Sequence, residues 1–216
     1  MAFRGWPVEA IEFYEGLEAD NSKFYWQANK QVYENDVLRP MEELLAELAG
    51  EFGEGRIFRP YRDVRFSADK SPYKTAIGAT LGGAGYVQLS ANGLGAGSGM
   101  YHMAADQLDR YRRAVADDGR GALLADIVAT AAKAKIEIAG HDELKTAPKG
   151  YPKDHPRVEL LRHKGLIAWK QWPVGAWLGT RRAKERLVEF LRAAQPLNDW
   201  LNVHVGPSTR PEPARR

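Results

Sequence analysis

The chain has 216 residues, of which 44% are hydrophobic and 27% are charged, and its formal net charge is +3. These values are ordinary for a globular protein, and the length allows one large or two small domains with a real core. The absence of cysteine excludes disulfides, thiolate metal ligands and a cysteine nucleophile.

Membrane and export signals are missing from the sequence. No apolar run approaches the ~20 residues that a membrane helix needs. The N-terminus lacks the apolar region of a signal peptide, so we expect a cytoplasmic protein without a membrane partner. A basic isoelectric point is compatible with nucleic acid, but a small net charge disfavours it, because nucleic-acid proteins usually carry broader basic stripes.

The first fifty residues carry helical patterns. Pro7 suits the first turn of a first helix. Asn21-Ser22 can cap a second helix over residues 23–36. Pro40 marks the start of a third helix, along which apolar residues recur at helical spacing.

Strand patterns replace the helical ones after Gly55. The dipeptide Asn92-Gly93 is a strong hairpin signal. The intervals between the strands are too short for helical crossovers, so we predict an antiparallel meander and not a parallel sheet. The predicted strands run over residues 57–66, 76–81, 86–91 and 94–101.

The remaining chain is mixed, with helices predicted over 104–116, 121–134, 157–163 and 181–194 and a strand over 166–172. Residues 206–216 are rich in proline and arginine without an apolar anchor, so we predict a disordered tail. The body, residues 1–205, is predicted to be a single α+β domain in which the antiparallel sheet packs against several helices.

The longest motif of the chain runs from Arg62 to Thr75 and reads Arg-Asp-Val-Arg-Phe-Ser-Ala-Asp-Lys-Ser-Pro-Tyr-Lys-Thr. It is accompanied by shorter motifs, which are Asn29-Lys30 with Tyr33-Glu34, Gly97-x-Gly99-x-Tyr101, Lys149-Gly150-Tyr151 and Asp154-His155-Pro156. On these motifs the chain, from about Phe3 to Trp200, resembles an uncharacterised conserved family of bacteria and fungi, domain of unknown function 2461. The early helix departs from the family pattern, since Asn21-Ser22 and Tyr25-Trp26 replace an expected Asn-Asn and Trp-Phe. The resemblance implies a fold and no activity.

Positive charge is concentrated in residues 59–75, which we call the basic block. It contains five basic and two acidic residues, a surplus equal to the net charge of the whole chain. These residues are Arg59, Arg62, Arg65, Lys70, Lys74, Asp63 and Asp69. The period of the predicted strand places Arg59, Tyr61, Asp63 and Arg65 on one face, with Val64 and Phe66 towards the core. A concentrated positive field can attract and hold an anion.

We therefore predict that the basic block binds a small ligand bearing phosphate or carboxylate. One guanidinium group can donate two parallel hydrogen bonds to such an anion, and an ammonium group adds a point charge. The predicted ligand-binding residues are Arg62, Arg65, Ser67, Asp69, Lys70, Tyr73, Lys74 and Thr75, with Tyr101 from the glycine-rich strand. Proton transfer would fall to Asp63, Tyr73 or His155, and whether the chain is an enzyme stays open. No zinc or nucleotide-binding spacing is present, so we expect neither metal nor cofactor.

Two other interpretations compete with anion binding. The charged block could be an internal ion-pair network of a structural or protein-interaction module, and exposed pairs of this kind stabilise little. The second is nucleic-acid binding assisted by the basic tail. Anion binding and the internal network are equally compatible with the sequence.

Overall fold

The computed structural model describes residues 2–65, 67–83 and 85–209. These residues group into two compact units. The first contains the described chain up to Ala96 together with Gln171–Glu189, and the second contains Gly97–Lys170 and the described residues from Phe190 onward. A single domain over residues 1–205 therefore stays a prediction.

Helices form the start of the first unit: α1 (Val8–Ala19), α2 (Lys23–Ala28), α3 (Lys30–Val32), a π-helical segment (Tyr33–Leu38) and α4 (Arg39–Phe52). As predicted, Ser22 caps α2, because its hydroxyl accepts a hydrogen bond of 3.1 Å from the backbone N–H of Tyr25. The predicted helix over 23–36 is instead divided at Asn29, and its second part widens into the π-helical segment. Pro40 lies in the first turn of α4.

The described strands are β1 (Gly55–Ile57), β2 (Ala76–Leu81), β3 (Gly85–Ser90), β4 (Gly93–Met100), β5 (Glu137–Ala139) and β6 (Leu166–Trp172). They form an antiparallel sheet in the order β1-β2-β3-β4-β6-β5. In the β2–β3 hairpin Ala76 lies opposite Ser90, and Leu81 lies opposite Gly85. Helix α4 packs on β1 and β2. The predicted α+β class with an antiparallel meander is confirmed, and β5 is an addition that the sequence did not indicate.

The strand predicted over residues 57–66 is wrong. Strand β1 ends at Ile57, and within residues 58–65 only Tyr61 joins a β-bridge, antiparallel to Tyr73. Pro60 interrupts the strand because it has no N–H to donate. The predicted row of Arg59, Tyr61, Asp63 and Arg65 on one strand face is therefore wrong as well. Phe66 lies outside the described residues.

The second unit contains α5 (Ala105–Ala116), α6 (Asp118–Lys133), α7 (Val158–Arg162) and the C-terminal part of α8 (Arg182–His204), all near their predicted positions. Helix α8 continues well past its predicted end at residue 194 and contains Pro196. None of the described helices is long and apolar enough to cross a membrane.

The first residues of the predicted tail are bound to α5. Asp106 accepts hydrogen bonds from the hydroxyl of Ser208 at 2.8 Å and from the backbone N–H of Thr209 at 2.9 Å. Arg110 donates to the carbonyl of Pro207 at 2.7 Å. These bonds lower the pKa of Asp106, with the Thr209 N–H as the main cause. The rest of the predicted disordered tail, residues 210–216, lies outside the described residues.

Candidate functional site

Residues 62–65 and 67–71 of the basic block are held by contacts among their own charges, and we call them the closed loop. Arg65 donates to both carboxylate oxygens of Asp63, from Nε at 2.9 Å and from an outer guanidinium nitrogen at 2.7 Å. This two-point contact is the strongest geometry for an arginine and a carboxylate. It lowers the pKa of Asp63 to about 2, with the Arg65 hydrogen bond as the main cause.

Asp69 organises the rest of the closed loop. It accepts a hydrogen bond of 2.9 Å from the backbone N–H of Ser71 and contacts the guanidinium of Arg62. Hydrogen bonds from Ser71, and then from Arg62, lower the pKa of Asp69 to about 2. Lys70 Nζ donates to the carbonyl of Val64 at 3.0 Å. The acidic residues thus neutralise neighbouring cations and shape the loop.

Tyr73 anchors the second part of the block. Its ring is only 4% exposed and stacks on Trp26, with 4.3 Å between the ring centroids and an angle of 5° between the planes. The side-chain amide of Asn21 accepts from the backbone N–H of Tyr73 at 3.0 Å and donates to its carbonyl at 3.1 Å. Burial raises the pKa of Tyr73. We call residues 73–75 the anchored segment, because these contacts fix its backbone.

The bridge between Tyr61 and Tyr73 joins the two sides of the block. The backbone N–H of Arg62 donates to the carbonyl of Pro72 at 2.9 Å, and that of Lys74 donates to the carbonyl of Pro60 at 2.8 Å. Tyr61 and Tyr73 form a non-hydrogen-bonded antiparallel pair, in which the two residues do not bond to each other. The backbone N–H and carbonyl of Tyr73 bond to Asn21 instead. Lys74 and Thr75 therefore follow directly after a fixed backbone position.

A cavity of about 390 Å³ lies beside the anchored segment. Its lining residues are Phe58, Arg62, Lys74, Thr75, Ala76, Gly78 and Tyr86, all from the first unit. Three of them, Arg62, Lys74 and Thr75, are among the predicted ligand-binding residues. The hydroxyl of Tyr86 donates to Gln88 Oε1 at 3.0 Å. The cavity thus combines two cations, hydroxyl groups and two aromatic rings.

Lys74 is the partly buried lysine of the block, whereas Arg59 and Lys70 are exposed. Its Nζ lies 5.4 Å from the centroid of the Phe58 ring. Within residues 2–65, 67–83 and 85–209, no carboxylate lies at ion-pair distance from this amine. Burial, and then the positive charge of Arg59, lower the pKa of Lys74. Lys74 is therefore a partly buried cation that the described residues leave without a carboxylate partner.

The other predicted site residues do not line this cavity. Arg65, Asp63, Asp69 and Lys70 belong to the closed loop, and Ser67 is half-buried within it. In the second unit, Tyr101 stacks on His141 at 4.3 Å between centroids. His155 Nδ1 accepts a hydrogen bond of 3.0 Å from the backbone N–H of Arg157, two residues later in the chain. In the part of the chain that the structure describes, no group of three histidine or acidic residues is placed to hold a metal ion.

Sequence reasoning missed four of the cavity residues, which are Phe58, Ala76, Gly78 and Tyr86. A side chain at Gly78 would meet the hydroxyl of Tyr86 at 2.6 Å, so the glycine leaves the space that the tyrosine occupies. A glycine inside the strand pattern of β2 was the available signal for such a close approach. Asn21 was also missed, since its position next to the cap suggested a local role.

The chain was compared with known protein families, curated proteins and solved structures. The model of the family described as "Conserved hypothetical protein (DUF2461)" matches residues 9–200. Neither a curated protein nor a solved structure matches the chain.

Proposed function

The chain belongs to the DUF2461 family, and from the geometry of its first unit we propose that it binds a small anion bearing phosphate or carboxylate in the cavity beside Lys74. The main support for the proposal is the position of Lys74. Lys74 is a partly buried cation at a cavity wall, and no described carboxylate lies at ion-pair distance from it. A charged group that is partly removed from water without a counter-charge is energetically unfavourable. A bound anion would supply that counter-charge, and its binding would therefore be favourable.

Arg62 would be the second contact of the anion. One of its nitrogens contacts Asp69, whereas a guanidinium has five N–H donors over three nitrogens. The contact with Asp69 limits the orientations of the guanidinium and leaves donors for a ligand. Such orientation before binding reduces the entropy that binding must overcome.

The size and the lining of the cavity agree with a small organic anion. Its volume of about 390 Å³ is within the usual range for sites of small molecules. Phe58 and Tyr86 provide apolar contact area next to the two cations, and Thr75 adds a hydroxyl. We propose a cytoplasmic location, which the cysteine-free composition supports.

The competing interpretation, an internal ion-pair network, is favoured by a specific observation in the closed loop. The pair of Asp63 with Arg65 and the contact of Asp69 with Arg62 occupy both acidic residues of the block. We assign this role to the closed loop and the ligand to Lys74, so the two interpretations apply to different parts of the block.

The test is a binding measurement with inorganic phosphate, pyrophosphate and lactate, by calorimetry and by thermal shift. We expect Lys74→Gln to weaken binding on the order of tenfold, because one charge-assisted contact is lost. The matched control is Lys70→Gln, which removes an exposed lysine of the same block that bonds to the carbonyl of Val64. Failure of all three anions to bind the wild-type protein, or equal weakening by both substitutions, would overturn the proposal.

A further inference from the structure

The amine of Lys74 is placed as a nucleophile would be. It lines a cavity, lies 5.4 Å from the centroid of the Phe58 ring and has no carboxylate of the described chain at ion-pair distance. Lys70, only four positions earlier, is exposed and donates to a backbone carbonyl instead. The two lysines of one motif therefore stand in different surroundings.

We propose that Lys74 forms a reversible imine with the carbonyl group of its ligand, so that the ligand is a small aldehyde or ketone that also carries the anionic group. The inference rests on the proposed function, because Arg62 would hold the anionic group while Lys74 attacks the carbonyl carbon.

The surroundings of Lys74 favour the neutral amine that this attack requires. Transfer of an ammonium group from water to a partly apolar wall disfavours its charged form. A neighbouring cation, here Arg59, acts in the same direction, and both causes lower the pKa of Lys74. Desolvation and a second cation are the two known ways of activating a lysine as a nucleophile.

The reaction balances without an oxidant or a reductant. The nitrogen lone pair of the neutral amine forms a bond to the carbonyl carbon, and the carbonyl oxygen takes up a proton to give a carbinolamine. The C–O bond then breaks, the oxygen leaves as water with both protons of the original amine, and the C=N bond forms. Protonation of the imine nitrogen by solvent gives the iminium ion.

Groups that could move these protons line the same cavity. Thr75 and Tyr86, which each carry a hydroxyl, are both lining residues of it. A hydroxyl within hydrogen-bond reach of the carbinolamine oxygen would assist its departure as water. These residues would carry protons and would not form covalent bonds to the ligand.

The test traps the imine. The wild-type protein is incubated with pyruvate or glyoxylate and sodium cyanoborohydride, and the adduct is located by mass spectrometry of the intact chain and of its peptides. We expect one reduced adduct at Lys74, formed on the order of tenfold faster than at Lys70. The matched variants are Lys74→Arg, which keeps the positive charge and has no nucleophilic amine, and Lys70→Arg.

The outcomes separate this inference from the proposed function. Loss of the adduct in Lys74→Arg but not in Lys70→Arg, with lactate and phosphate bound by the wild-type protein, supports both. Binding of lactate and phosphate by the wild-type protein without a Lys74 adduct, or adducts spread evenly over surface lysines, overturns the imine and leaves the proposed function. If phosphate, pyrophosphate and lactate all fail to bind the wild-type protein, both fail. Thermal unfolding of each variant identifies any that does not fold, and Lys74→Gln then replaces Lys74→Arg.

Discussion

The closed loop and the anchored segment are neighbours in the chain, but they are fixed in different ways. In the closed loop, Asp63 pairs with Arg65 two residues away, and Asp69 contacts Arg62 seven residues away. In the anchored segment, Tyr73 is held by Asn21, which is 52 positions distant, and by the ring of Trp26. Short-range charge pairs shape one part, and long-range packing fixes the other.

This difference indicates which cation of the basic block is placed to bind a ligand. The most concentrated charges of the block satisfy one another and lie in solvent, where ion pairs contribute little. Arg59, Lys70 and Lys74 have no carboxylate partner among the described residues, and of these only Lys74 is partly buried, directly after the buried and fixed Tyr73. The high charge density of the basic block indicates where in the chain the site lies. We expect the ligand contact at Lys74, which long-range packing holds apart from the ion pairs of the closed loop.

The largest expected effect comes from removing the ring beneath the anchored segment. Trp26→Ala should lower the free energy of unfolding by about 3–5 kcal/mol, because a buried aromatic ring is replaced by a cavity. Denaturation in urea, followed by circular dichroism, measures the loss. Phe24→Ala is the control on the same helix, since Phe24 is 81% exposed, and it should change stability by no more than about 0.5 kcal/mol. Similar losses in the two variants would contradict a special role for the Trp26–Tyr73 stack.

An intermediate effect is expected from Asn21→Ala. It leaves the N–H and the carbonyl of Tyr73 without their partner, which should cost about 1–3 kcal/mol of unfolding free energy. It should also weaken anion binding, because the backbone that carries Lys74 loses its anchor. Ser22→Ala, which removes only the cap of α2, should cost about 1 kcal/mol and leave anion binding unchanged. The anchor is refuted if both variants bind phosphate as the wild-type protein does.

The smallest effect is expected in the closed loop. Arg65→Ala should leave the thermal midpoint unchanged and raise the pKa of Asp63 from about 2 towards its ordinary value. Because this pKa is lowered by folding, any stability from the pair is present above the ordinary pKa of about 3.9 and is lost as the pH falls towards 2. Carboxyl carbon shifts in an NMR titration measure the change.

The matched group in that titration is Asp69. Its pKa of about 2 depends on Ser71 and Arg62, so Arg65→Ala should leave it in place. A shift of both aspartates would mean that the closed loop behaves as one network and not as two separate contacts.

Regular alternation and turn signals were sufficient to predict part of the fold. Strands β2 and β6 were predicted with their observed bounds, Ala76–Leu81 and Leu166–Trp172. The strand over 57–66 failed because alternating charged residues imitate a half-buried strand, although Pro60 cannot join the ladder. Strand β5 has only three residues, Glu137–Ala139, which is too short for a periodic pattern.

The charged residues of the candidate site could be predicted from the sequence, whereas the uncharged residues from other parts of the first unit that line the cavity could not. Arg62, Lys74 and Thr75 stand close together in the sequence, so their concentration was visible. Tyr86 enters the cavity wall through the register of the β2–β3 hairpin, in which it lies opposite Thr80. That register and the long-range contact of Asn21 with Tyr73 depend on tertiary structure, which no local pattern records.

The contact of Asn21 has a consequence for self-association. Tyr73 lies on a short ribbon whose outward N–H and carbonyl would otherwise be open to the backbone of another molecule, as at any sheet margin. The side-chain amide of Asn21 has the same donor and acceptor as a peptide group, and it occupies this margin. Because the Asn21 amide occupies both backbone groups of Tyr73, these groups are not available to pair with a strand of another molecule at this position.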